Sequence, residues 1–140
     1  MIDEAYIWET LGESGIRKII HQFYQYIRTD TIISPMYPPN DWEGSEKRLA
    51  DFMCFRIGRD ETYIQERGHP RLRMRHAAFP ITFEARTRWL ELMQQALNDC
   101  QTPDDCSKQL MAFFTFVADG LVNTTDPDQE VNPRKSFKLF

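Results

Sequence analysis

From Ser14 to Thr29 the apolar residues Ile16, Ile19, Ile20, Phe23, Tyr24 and Ile27 recur at intervals of three and four. This spacing predicts a helix with one buried stripe, and Ser14 is placed to cap it. The following segment, TIISPMYPPNDWEG, carries Pro35, Pro38 and Pro39, which break helical hydrogen bonding and read as a loop. A helical period resumes from Ser45 to Ile57 through Leu49, Phe52, Met53 and Ile57, with Gly58 as its expected stop. RDETYIQERGHP is polar and shows no clear period, and a short helix is expected after Pro70, ending before Pro80. Thr82 should cap the next helix, FEARTRWLELMQQALND, in which Trp89, Leu92, Met93, Ala96 and Leu97 repeat at three and four. After TPDD, the residues Leu110, Met111, Phe113, Phe114, Phe116, Val117 and Leu121 predict a deeply buried helix, apolar on most sides.

No stretch alternates at period two for long, so the predicted class is all-α with about five or six helices. The 140 residues suit one domain, expected to span 1–124. Residues 125–140, TDPDQEVNPRKSFKLF, are polar with two prolines and read as a mobile extension.

A net charge of −4 gives no general attraction to polyanions, so a nucleic-acid role would need a local basic patch. The three cysteines, Cys54, Cys100 and Cys106, lack metal spacing and favour reduced thiols in a cytosol. No basic leader and no window of 18 apolar residues is present, which fits a soluble cytoplasmic protein without a membrane role. No Gly-rich phosphate loop occurs, and the histidines and cysteines supply no zinc cluster. Cys54, in an apolar helix, reads as an inert core thiol rather than a nucleophile.

One segment stands apart. Arg67 to Ile81, RGHPRLRMRHAAFPI, holds four arginines and two of the three histidines. The arginines Arg67, Arg71, Arg73 and Arg75 suit a solvated loop, nucleic-acid phosphates or a carboxylated ligand, whose carboxylate a guanidinium grips at two points. His21 reads as a surface residue and His69 as part of a turn. His76 is followed by Ala77, Ala78 and Phe79, small and apolar neighbours that leave room beside its imidazole for a ligand.

GHPRLRMRHAAFPI resembles the proximal segment of the group II (O-type) truncated haemoglobins. The likeness extends over about Tyr6 to Asn123, through Gly12 after a first short helix, Phe23-Tyr24 in the second, Tyr37-Pro38 in the loop and Trp89-Leu90 in the later long helix. It implies a truncated globin fold, a two-over-two helical sandwich around haem b (iron protoporphyrin IX). His76 matches the proximal ligand of the haem iron. Tyr24, Tyr37 and Trp89 match distal residues that hydrogen-bond an iron-bound ligand, and Phe23, Ser45, Leu49 and Phe52 are implied as distal lining. Arg73 and Arg75, then Arg48 and Tyr63, are the implied haem propionate partners. The chain departs from the family's usual pattern at Ala78, where a Pro is common, and at Gly58-Arg59, where a Gly-Gly pair is common.

The resemblance further implies O2, NO, CO or peroxide as small ligands and a reductase to keep the iron ferrous, and leaves room for a homodimer. Tight, slow O2 binding is expected rather than delivery, with NO dioxygenase-like or peroxidase-like chemistry open. The alternative is a non-enzymatic helical module that docks its arginine loop on an acidic partner, the aromatic residues then serving only as core.

Overall fold

The computed structural model describes residues 2–70 and 81–123. In chain order its helices are α1 (Glu4–Ile27), a 3-10 turn (Ser34–Met36), α2 (Trp42–Gly58), α3 (Thr62–Arg67), α4 (Phe83–Asp99) and α5 (Asp104–Leu121). Among the described residues there is no strand, as the absence of period-two alternation predicts. α1 packs on α2 and on α4, α4 packs on α5, and α3 packs on α2. The helix predicted after Pro70 and the extension from Thr125 lie outside the described residues.

α1 begins ten residues before Ser14, at Glu4, where the Asp3 carboxylate caps it by accepting from the Tyr6 N–H at 3.1 Å. The break that the sequence placed at Ser14 falls at Gly12, whose φ of 66° lies in the region glycine adopts without strain. Beyond it the predicted stripe is buried: Ile16, Ile19, Ile20, Phe23, Tyr24 and Ile27.

α2 starts at Trp42, one turn earlier than its apolar period shows. It buries Asp51, which is stable there because Arg17 of α1 and Lys47 each reach its carboxylate at 2.7 Å. Lys47 also pairs with Glu66 of α3 at 2.9 Å. The expected stop at Gly58 is displaced by one residue: Gly58 is the last helical position, and Arg59 takes the left-handed conformation, with φ 58° and ψ 25°. Gly58 is required for packing instead, since a Cβ there would lie 2.5 Å from the Trp8 ring.

α3 forms in the segment that reads as aperiodic. Six residues are too few to display a stripe, and Tyr63 alone is buried. The local signal is Asp60, whose carboxylate accepts from the Thr62 N–H at 2.9 Å and starts the turn.

Thr82 caps α4 as predicted, its hydroxyl accepting from the Ala85 N–H at 3.1 Å. α5 differs from its prediction. It buries Cys106, Ser107, Leu110 and Phe114, while Phe116 is 80% exposed. α4 is the helix packed most closely on it, so one face is covered, and Phe113, Val117 and Leu121 on a second face border a cleft instead. After α5, Asn123 exchanges two hydrogen bonds with the backbone of Ile81, at 2.8 and 3.1 Å, and fixes the chain to the start of α4.

Candidate functional site

The α1–α2 connection, α2, α4 and α5 border an apolar cleft that is partly open to solvent. Apart from Tyr37, Trp89 and Arg86, the lining is aliphatic or phenyl: Ile33, Met36, Leu49, Phe52, Ile81, Ala85, Phe113, Phe114, Val117, Ala118 and Leu121.

The connection is held in shape by Asp30. Its carboxylate accepts from the backbone N–H groups of Ile32 and Ile33 at 3.2 and 3.0 Å and from Arg88 of α4 at 2.7 Å. Burial opposes that charge, but the Arg88 hydrogen bond and the two N–H groups outweigh it and hold the carboxyl below its ordinary value. Ile33 is thereby buried, the proline-containing 3-10 turn follows, and Tyr37 emerges extended, at φ −114° and ψ 150°, with its ring in the core.

Tyr37 is the polar centre of the wall. Its hydroxyl oxygen accepts from the Trp89 indole N–H at 3.4 Å. Its ring stacks on Trp42, 5.5 Å between centroids, and meets Tyr24 edge-on at 5.9 Å. Burial pushes the Tyr37 phenol up to about 12, against the Trp89 hydrogen bond, which favours the anion. The phenol is therefore a neutral donor at physiological pH.

The three distal residues expected from the sequence occupy two kinds of place. Tyr37 and Trp89 line the cleft, whereas Tyr24 stands behind them, and its hydroxyl donates to the Ser45 backbone carbonyl at 2.9 Å. Burial holds the Tyr24 phenol well above its ordinary value. Leu49 and Phe52 line the cleft; Phe23 and Ser45 do not. Phe23 backs Trp89 at 4.8 Å in an edge-on contact, and the Ser45 hydroxyl accepts from Arg48 at 3.2 Å.

Of the expected propionate partners, Arg48 is paired with Asp41 at 3.0 Å, and Tyr63 is fully buried against Phe52 and Phe55. Neither borders the cleft. Arg73, Arg75 and His76 lie outside the described residues. The residue that sequence reading missed is Arg86, a cation on the cleft wall. Its signal is its position one turn before Trp89 on the same helix.

Among the described residues, no group of three His, Cys, Asp or Glu side chains could hold a metal ion. His21 is exposed, with Nδ1 3.0 Å from the Glu46 carboxylate, and His69 is exposed in the turn after α3. Cys54, Cys100 and Cys106 are free thiols. Burial pushes the Cys54 thiol up to about 11, which suits the inert core role.

The donor set can be tested against the haem that the resemblance implies. Haem needs extended apolar walls, a water-poor space beside its iron and a cation for its carboxylates. The aliphatic and aromatic lining, the Tyr37–Trp89 pair and Arg86 supply groups of these kinds, so the described residues fit it.

Comparison with known proteins gives the same direction. A family model for the bacterial-like globins matches residues 6–123. Group 2 truncated hemoglobin 3-1 of Lotus japonicus is 36% identical over 128 residues, covering 84% of this chain and 71% of its own. The crystal structure of a hemoglobin from Chloroflexus aurantiacus superposes with a TM-score of 0.79 at 35% identity, covering 84% of this chain and 98% of that one. A truncated, oxygen-avid haemoglobin of Bacillus subtilis gives a TM-score of 0.79 at 27% identity, with coverage of 84% and 98%.

Proposed function

The chain belongs to the bacterial-like globin family, as a group II truncated haemoglobin of two-over-two helical fold, and from that premise we propose that it binds haem b through His76 and retains diatomic ligands against a distal wall formed by Tyr37 and Trp89. The single observation that carries the reading is the Trp89 N–H to Tyr37 hydroxyl contact at the wall of an otherwise apolar cleft.

Haem, when bound, would supply an iron atom able to coordinate O2, NO or CO. The protein's own part follows from the arrangement of protons. Because the Tyr37 oxygen accepts from Trp89, the one phenolic proton of Tyr37 is free for a different acceptor. Its protonation at physiological pH keeps that proton available. Leu49, Phe52 and Phe114 line the same space with apolar surface, and a hydrogen bond is stronger in apolar surroundings than in water. A ligand that accepts charge is retained; one that stays neutral gains less.

His76 is assigned by its place in GHPRLRMRHAAFPI, with Arg73 and Arg75 as propionate partners. The resulting activity is slow O2 release suited to reaction of O2 with NO, or to peroxide chemistry, in the cytoplasm and served by a separate electron-donating reductase. No described helix is long and apolar enough to cross a membrane. The family match disfavours the alternative of a colourless docking module.

The proposal is tested by titrating the apoprotein with haemin and following visible absorption. Saturation at one equivalent, with a spectrum that shifts under dithionite and carbon monoxide, is expected. A folded protein that leaves the haemin spectrum unchanged would refute it.

A further inference from the structure

Among the described residues that line the cleft, Arg86 is the one cation. It lies on α4, and its Nε donates to the Asp119 carboxylate of α5 at 2.7 Å. The guanidinium also lies over the Phe83 ring, 5.6 Å from its centroid, and Phe83 is 59% exposed. The charge therefore sits where the apolar cleft meets water, fixed by two neighbouring side chains.

A guanidinium carries five N–H donors in a planar fork. Asp119 uses the Nε edge and leaves the Nη edge without a hydrogen-bond partner among the described residues. The comparison with other arginines is informative. Arg48 is taken up by Asp41 and Ser45, Arg17 by Asp51 and Glu13, and Arg88 by Asp30 and Glu91. Arg86 alone combines a position on the cleft wall with free donors in the geometry that grips a carboxylate at two points.

We propose that Arg86 binds a carboxylate of the ligand held in the cleft, and specifically one haem propionate. This rests on the haem reading and deepens it: a contact to the porphyrin edge is assigned to α4, apart from Arg73 and Arg75. The apolar lining accepts the porphyrin face, and the rim position lets the propionate remain partly hydrated while it pairs with Arg86.

The test uses haemin and its dimethyl ester, in which both propionates are esterified. Each is bound to the wild-type, Arg86→Leu and Arg86→Lys proteins, and its transfer to an excess of another apoglobin is timed by absorption. Haemin should leave Arg86→Leu about tenfold faster than wild type, the loss of one charge-assisted hydrogen-bonded pair. Arg86→Lys, which keeps the charge without the fork, should fall between them and serves if the leucine variant does not fold. The dimethyl ester should leave all the proteins at one rate. Unchanged haemin rates would overturn the assignment, and so would equal acceleration for haemin and its ester, which marks a packing role. Wild-type protein that takes up neither porphyrin would overturn the haem reading itself, and this contact with it.

Discussion

The Tyr24 hydroxyl donates to the backbone carbonyl of Ser45 across 2.9 Å and ties α1 to the first turn of α2. Tyr24 thus stands behind the cleft wall, where Tyr37 is the lining phenol.

The two tyrosines should accordingly separate on mutation. Tyr24→Phe removes a buried hydrogen bond and should cost about 1 kcal/mol of stability, while changing the O2 dissociation rate of the haem-loaded protein less than Tyr37→Phe does. Tyr37→Phe removes the free donor and should speed O2 loss by about tenfold, a change worth about 1.4 kcal/mol. Stopped-flow O2 release together with urea unfolding of both variants checks this. Faster release from Tyr24→Phe than from Tyr37→Phe would return the donor role to Tyr24.

Gly58 and Arg59 should respond in opposite directions. Gly58→Ala drives a Cβ into the Trp8 ring, so thermal unfolding should show a loss of about 1–3 kcal/mol. Arg59→Gly relieves a left-handed conformation that an L side chain adopts at a cost, and should stabilise by about 0.5–1 kcal/mol. A fall in melting temperature for Arg59→Gly would show that the Arg59 side chain itself holds the turn.

How much of this was legible in the sequence depends on what each signal measures. Apolar spacing located the helices that bury a stripe, and Thr82 marked the start of α4, because a threonine before a periodic run has one good use there. The same spacing misjudged α5, since Phe113 and Val117 border the cleft and Phe116 is exposed. Gly12 and Gly58 look alike in sequence, yet one supplies a positive φ and the other makes room for Trp8. The cleft pair Tyr37 and Trp89 was reached through the family motif. The orientation of Tyr24 and the place of Arg86 were not, because both depend on contacts between distant segments that no local pattern encodes.

Asp30 gives the pH dependence its sign. Its folded carboxyl lies below the ordinary value, so the unfolded chain takes up the proton first. The stabilisation is present above the unfolded value of about 4 and is lost as pH falls through the lower, folded one. Asp30→Asn should therefore lower stability at neutral pH and flatten the acid limb of a stability profile between about pH 5 and pH 2. The loop carrying Tyr37 should loosen in parallel, seen as faster amide exchange at Ile32 and Ile33. An unaltered acid limb would mean that the Asp30–Arg88 pair does not hold this loop.

The central claim is that the cleft holds a haem whose iron is bound by His76. It is tested most directly by the visible spectrum of the haemin-loaded protein, reduced with dithionite and exposed to carbon monoxide, for wild type and His76→Ala side by side. The account predicts one haem per chain and a carbon monoxide-dependent shift in the wild type, with the variant folded but losing the wild-type spectrum and releasing haem readily. Identical spectra and identical haem retention in the two proteins would contradict it, and iron ligation would then have to be sought elsewhere in the chain.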